Sequence, residues 1–521
     1  MQTFDLAIID IVVMITYIIA IIGFGLWVSR KNDSEEDYFL AGRSLTWPVI
    51  GFSLFASNVS SSTLIGLAGD AYTTGIAVYN YEWFAVIVLV FFIIFFLPFY
   101  LKTKIYTLPE FLELRFDHRS RYYMSGVTVV GNILLETAGA LYAGALVVVL
   151  IFPNVPMWQI TTVLALLAGA YTIAGGLKAV VYTDSIQAVL LLLGSTLIAW
   201  FAYQKVGSWD AVLAVTTPSE LSLIQPLDDP ALPWLGLVVG LPLLGIYFWC
   251  SNQFMVQRTL AAKNLDEGRW GSLFAGLLKL PIIFIMVFPG IFARVLYPNL
   301  EKGDMVFPTM IFDLLPDGIR GLILVVLIAA IMSSLDSTLN SVSTLVTMDW
   351  VKKFKPHLSG KKLVLVGRIA TGVVMILGAI WAPQIAKFPS LWQYLQGVLA
   401  YITPPIVACF ILGVFWRRSN GTGAFAGLIL GFIMAIVLLV APVDLHFLYV
   451  APILFGLSCI TIVIASLATS PPSPESQKLV WTVSMYHDET RHLRQVRWFK
   501  NYRIQSALLL ALTALVVSMF I

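Results

Sequence analysis

The sequence predicts an all-α membrane protein, and three observations carry that prediction. Of 521 residues, 59% are hydrophobic and 12% charged, with a mean hydropathy of +0.87, too apolar for soluble domains of this size. Apolar runs of roughly twenty residues, enough to cross a hydrocarbon core about 30 Å thick, recur from near residue 9 to Ile521, about fourteen in all. The basic residues are biased: with an outside N-terminus, roughly 26 of the 32 Lys and Arg fall on the cytoplasmic side, as the positive-inside rule requires. Both termini would then face outward from a plasma (inner) membrane.

Taken in order, the spans fall near 9–29, 47–73, 78–101, 122–151, 158–176, 181–204, 233–257, 272–296, 312–348, 365–384, 391–415, 422–441, 447–469 and 502–521. The first follows Asp5 and Asp10, lacks a basic leader region and a small-residue cleavage site, and reads as a retained helix. The second holds Ser53, the run from Ala56 through Ser57, Asn58, Val59, Ser60, Ser61 and Ser62 to Thr63, then Gly66 and Gly69. Such a stretch in mid-membrane needs a cavity or a broken helix. After the third span, Thr107 and Glu110 have capping-box spacing with Pro109 near the first helical position, which predicts a short interfacial anchoring helix.

The seventh span carries Gly240, Pro242 and Gly245 ahead of Tyr247, a second interruption five spans after the first. That spacing fits two inverted repeats, spans two to six and seven to eleven, with a site between them. Residues 1–45 would hold an extra helix and a cytoplasmic loop, 46–205 the first repeat, 206–416 an external loop and the second repeat, and 417–521 the last three helices. Within that last part, 470–501 opens with Ser-Pro-Pro-Ser-Pro and carries Arg491, Arg494, Arg497 and Lys500. It reads as a linker and an amphipathic helix at anionic headgroups.

Composition also excludes classes. A net charge of +3 spread among loops does not suggest nucleic acid. Cys250, Cys409 and Cys459 fall inside spans as small apolar side chains. The histidines, His118, His357, His446, His487 and His492, lie in loops or at span edges with no metal-ligand spacing, so no catalytic set is legible and an enzyme is not expected. A sensor on a transporter core is the more distant alternative: it would need an attached soluble output domain, and the expected last segment is a membrane span.

Asn58, Glu82, Glu136, Asp184, Lys279, Asp336 and Gln396 sit well inside spans. A charge at the membrane centre costs about 2.5–3.5 kcal/mol on insertion scales, so these groups must face protein or water. Any one of them could be a structural pair; together, on six or seven spans, they describe a polar cavity. Ala330, Ser333 and Ser334 share one helix face at i, i+3 and i+4. Sodium wants roughly five or six hard oxygens, which serine hydroxyls and carbonyls freed by a broken helix supply. For a lone Ser-Ser pair, bonding back to carbonyls a turn earlier is the plainer reading.

The segments EDYFLAGRS (36–44), YTLPE (106–110), GGLKAVVYTDSIQ (175–187), NQFMVQRTLAAK (252–263) and MSSLDSTLNS (332–341) resemble the sodium/solute symporter family, in its sodium/glucose cotransporter branch. The resemblance covers nearly the whole chain. It implies a leucine-transporter-like 5+5 inverted-repeat core with broken helices, and sodium as the co-transported ion, held by carbonyls of Ala56, Val59 and Ala330 and hydroxyls of Ser333 and Ser334. It places the solute at Asn58, Thr63, Glu82, Glu136, Trp249, Lys279 and Gln396, with Phe248 as inner gate and Leu67, Tyr81 and Trp392 as outer lid.

Phe248 stands where the family usually has tyrosine. Galactose-carrying relatives place Gln at Thr63 and Asn at Gly245, so two sugar-hydroxyl partners are missing. Glu136 occupies a position where relatives carry Asn or Lys; pairing with Lys279, or a protonated carboxyl, is the reading favoured for it. No cavity arginine appears near Leu135, which argues against an anionic solute. Asp184, Asp336, Ser333 and Ser337 form either a second sodium site or a hydrogen-bond network. The expected function is sodium-driven import of a neutral sugar or polyol by alternating access. Another solute on the same fold (an amino sugar, amino acid or vitamin) is the alternative. Sodium, the solute and the lipid bilayer are the expected partners, and a monomer would suffice.

Overall fold

The computed structural model describes residues 6–28, 34–441 and 445–521, and of 167–175 the backbone alone. In chain order its main helices are α1 (Ile8–Val28), α2 (Trp47–Asn58), α3 (Ser61–Thr74), α4 (Asn80–Phe95), α5 (Leu108–Arg115), α6 (His118–Gly131), α7 (Ala138–Ile151), α8 (Met157–Val206), α9 (Leu241–Ile246), α10 (Gln253–Leu260), α11 (Leu265–Lys279), α12 (Phe288–Leu296), α13 (Ile319–Thr344), α14 (Gly360–Trp381), α15 (Leu391–Ile402), α16 (Pro404–Phe415), α17 (Gly421–Val440), α18 (Phe447–Ala468), α19 (Val483–Leu493) and α20 (Tyr502–Ser518). Among the described residues, nine helices are long and apolar enough to cross a membrane. Three bent pairs bring the count to twelve, and two shorter apolar helices, Met157–Leu166 and Tyr502–Ser518, lie where the fifth and fourteenth spans were expected.

The second span breaks where its polar stretch predicted, α2 and α3 meeting at 56°. The first helix stops at Asn58 and Ser60 caps the next: its hydroxyl accepts from Thr63 N–H at 3.1 Å, while Thr63 Oγ1 accepts from Ser60 N–H at 3.3 Å. This reciprocal cap satisfies donors that a continuous helix would have pointed elsewhere.

The seventh span breaks later than expected. A kink at Gly240 separates two short helical pieces, but the extended residue is Asn252, after a π-helical turn Tyr247–Ser251. Asn252 caps α10, and Tyr100 Oη donates to the freed Cys250 carbonyl at 2.9 Å. The ninth span also differs from its expected range, 312–348. Val306–Leu314 is a separate helix, and the span begins at Ile319 because Gly318, at φ 84°, turns the chain. Asp10 of α1 accepts from Gly318 and Gly321 N–H, both at 2.7 Å, and so caps α13 from a neighbouring span.

α8 runs through the fifth and sixth expected spans with a break at Gly176 (φ 62°), where a Cβ would lie 2.8 Å from Tyr38. Its second half packs against α13 and α2, and α11 packs against α2 and α4, so the break at Ser60 lies at the centre of the bundle. α5 forms at the predicted capping box, Thr107 Oγ1 accepting from Glu110 N–H at 3.3 Å. Thr107 also donates to Asp349 at 2.7 Å, tying this helix to the end of the α13 span. The expected amphipathic helix within 470–501 is α19, docked through Glu489 onto Arg269 and Arg503.

Candidate functional site

An inner cavity of about 100 Å³ opens beside the break, lined by Asn58 and Thr63 from the broken span, Tyr81 and Glu82 from α4, Glu136, Phe248 and Trp249, and Trp392 and Gln396 from α15. Four of the seven polar groups singled out from the sequence therefore meet here: Asn58, Glu82, Glu136 and Gln396. Asn58 Oδ1 is buried with no hydrogen-bond partner, an acceptor left for whatever enters the cavity. The Thr63 hydroxyl lines the same space but is donated to the Asn58 carbonyl at 2.8 Å. Gly245 lets its helix approach α4, since a Cβ there would lie 3.0 Å from Val88.

Lys279 is not part of the lining. Its ammonium, 1% exposed, pairs with Glu82 and lies 5.6 Å from the Trp249 ring centroid. Of the two readings favoured for Glu136, pairing with Lys279 is overturned: Lys279 is spent on Glu82, and among the described residues Glu136 has no ion-pair partner. Tyr81 and Trp392 meet edge to face with centroids 5.5 Å apart. Both also line a vestibule of about 540 Å³ with Asp70 and His446, so they form the roof of the inner cavity and the floor of the outer one. Gly66 gives Trp392 its room, a Cβ there lying 3.0 Å from the indole. Leu67, expected in the lid, is fully buried and lines neither space. Phe248 stacks edge-on against Trp249 and Phe254.

On the other side of the break, Ser60 N–H donates to the Asn58 carbonyl at 3.0 Å and Thr63 N–H to Ser60 Oγ. The two donors that would continue the helical ladder onto the Ala56 and Val59 carbonyls are thus turned away, leaving those oxygens to other partners. Ser57 and Ser337 hydroxyls meet at 3.0 Å, which sets the break against the serine face of α13. One turn up that face, Ser334 Oγ donates to the Ala330 carbonyl at 2.8 Å and Ser333 Oγ to Asp184 at 2.6 Å. Both hydroxyls keep oxygen lone pairs that a hard cation can use.

Of the two readings of Asp184, Asp336, Ser333 and Ser337, a second sodium site or a hydrogen-bond network, the geometry shows the hydrogen bonds. Asp184, Ser333 and Ser337 come together around the guanidinium of Arg258, which donates to Ser53 at 2.8 Å, to Ser57, to Ser337 and to the Phe254 carbonyl, and lies 3.3 Å from Asp184. Arg258 and Asp184 are 1% and 0% exposed. Asp336 is buried on the same helix. The sequence reading missed Arg258 because it placed the residue at the cytoplasmic edge of the seventh span. The signal was present in the NQFMVQRTLAAK segment, where an arginine follows an Asn that can cap a broken helix.

The sodium:solute symporter family model matches residues 38–431. The chain is 35% identical to sodium/glucose cotransporter 4 of Danio rerio, covering 95% of this chain and 83% of that protein. It is 35% identical to sodium/myo-inositol cotransporter 2 of Oryctolagus cuniculus, covering 91% and 78%. Among solved structures, a sodium-coupled sialic acid symporter in a substrate-bound outward-open state superposes with a TM-score of 0.80 at 26% identity, covering 90% of this chain and all of that one. Mhp1, a nucleobase-cation-symport-1 family transporter, shares the fold at a TM-score of 0.57 and 14% identity.

Proposed function

Since this chain belongs to the sodium:solute symporter family and is a multi-pass, sodium-coupled carrier of a small solute with a leucine-transporter-like core, we propose that its solute is a small polyhydroxylated ring, a sugar or cyclic polyol. The observation that supports this most is the inner cavity. An aromatic wall of Trp249, Phe248 and Tyr81 suits the apolar face of a ring, while Glu82, Glu136, Asn58 and Gln396 suit its hydroxyls. The matched relatives named for glucose and myo-inositol transport favour the same class.

Sodium is held by the Ala56, Val59 and Ala330 carbonyls with Ser333 and Ser334. There it joins the broken span to α13 and favours the outward-facing form, which raises solute affinity. By linkage the solute then tightens sodium binding by the same factor. Closure of Tyr81 and Trp392 over the cavity, rocking of the repeats and loss of sodium inside complete the cycle. Asp184 already has a cation in Arg258, which favours one sodium per solute. Each sodium entering down 100 mV contributes about 2.3 kcal/mol besides its concentration term. The distribution of Lys and Arg supports a cell-membrane orientation with both termini outside.

The test is uptake into proteoliposomes under a sodium gradient, screened across sugars, polyols, amino sugars and amino acids. The reading expects sodium-dependent uptake confined to polyhydroxylated solutes; uptake of amino acids alone refutes it.

A further inference from the structure

Glu136 lies in a π-helical turn, Asn132–Thr137, between α6 and α7. The wider turn re-aims side chains relative to a regular helix, a device common at binding sites, and here the carboxylate reaches the inner cavity. Its surroundings are unusual for a carboxylate. Among the described residues, no Lys, Arg or His lines the cavity. Of the nearby cations, Lys279 pairs with Glu82 and Arg258 with Asp184. Among the described residues, Glu136 makes no ion pair and no side-chain hydrogen bond. In the same wall Asn58 Oδ1 is a second acceptor lacking a partner, beside one unpartnered donor, Trp392 Nε1.

The cavity therefore presents a carboxyl without a cation, and a second acceptor, to a solute inside a small, aromatic-walled space. Ionising such a buried carboxyl is costly unless an opposite charge meets it. An ammonium on the solute would do so while donating to both acceptors, and the rings of Trp249 and Trp392 would add cation–π attraction. A neutral hydroxyl offers one donor and no charge.

We propose that Glu136 is the specificity-determining residue of the cavity and that it selects polyhydroxylated solutes bearing one protonated amine, such as amino sugars, over their neutral parents. This rests on the polyhydroxylated-solute reading above and refines it. The preference expected for a charge-assisted contact over a neutral one is roughly tenfold or more in half-saturating concentration.

The experiment compares sodium-driven uptake of glucosamine and glucose, and of an aminocyclitol and myo-inositol, by the full-length protein in proteoliposomes at a pH where the amines are protonated. Expected are a lower half-saturating concentration for each amine than for its parent, one extra positive charge moved per amine in the accompanying current, and an amine-to-parent ratio near one in Glu136→Gln. If the neutral parents enter with sodium and the amines have no advantage in the wild type, this inference is overturned while the solute class stands; a carboxyl held protonated would give that result. Should Glu136→Gln keep the wild-type ratio, another group sets the preference and the inference is again overturned. If no sugar, polyol or amine derivative enters with sodium, the underlying reading fails and the inference with it. The wild-type ratio and current decide the matter even where Glu136→Gln does not fold.

Discussion

The break at Ser60 separates two polar clusters built from the same chemistry and left in different states. On the α8 and α13 side, Arg258 gathers Asp184, Ser53, Ser57, Ser337 and the Phe254 carbonyl, so the donors of one guanidinium are matched to acceptors and the group is sealed. On the α4 and α15 side, Glu82 is matched by Lys279, but Glu136 and Asn58 Oδ1 face a cavity with acceptors to spare. A saturated buried cluster holds helices in register; an unsaturated one is a place for a ligand. The sodium position proposed above uses the Ala56, Val59 and Ala330 carbonyls, which belong to neither cluster.

Removing the hub of the sealed cluster should have the largest effect. Arg258→Ala leaves Asp184 buried without its cation and should cost about 3–5 kcal/mol, read as a lowered unfolding temperature in detergent and poor recovery of folded protein. Arg258→Lys should rescue it only in part, because one ammonium cannot span acceptors on three helices. A fully stable Arg258→Ala would show that the cluster is not what holds these helices.

Next comes the matched pair beside the cavity. Lys279→Ala and Glu82→Ala should each reduce uptake by about 100-fold or more, since each leaves a buried partner uncompensated. The double variant Glu82→Gln with Lys279→Met should regain folded yield without regaining uptake. Recovery of both would make the pair purely structural.

Smaller effects set the scale outside both clusters. Asp10→Ala removes the cap on α13 and should cost about 1 kcal/mol, seen as a modest fall in unfolding temperature. Smallest is the docking of α19. Burial alone would raise the Glu489 carboxyl, but Arg269, Tyr502 and Arg503 outweigh it and hold the group below the usual 4.5. A depressed value means that its contribution is present above the unfolded value and is lost as pH falls through the lowered one. Protection from hydrogen exchange across 483–493, relative to the intrinsic rate at each pH, should therefore fall at acid pH and hold at neutral pH; Glu489→Gln should show low protection at both.

Much of this arrangement was legible in the sequence, for identifiable reasons. The break in the second span showed because a run of serines in mid-membrane has no other inexpensive explanation, and the carboxylates showed because charges in spans are rare. Partner choice was less legible. Nothing in the sequence says that Lys279 reaches Glu82 rather than Glu136, since that depends on how α11 packs on α4. Arg258 was invisible for a related reason: a straight seventh span would carry it into the cytoplasm, and only the turn at Asn252 brings it back beneath the serines of α2 and α13. The start of α13 was placed too early because the apolar run continues through Val306–Leu314, and Gly318, not hydropathy, decides where the chain turns.

The most direct check on the account is the sodium dependence of solute uptake by proteoliposomes, measured for the wild-type protein and for Ser334→Ala over a range of sodium concentrations against choline. The account predicts no concentrative uptake in choline and, for Ser334→Ala, a half-maximal sodium concentration raised by about tenfold with solute affinity restored at saturating sodium. Equal uptake in sodium and choline, or a sodium curve unmoved by Ser334→Ala, would contradict it.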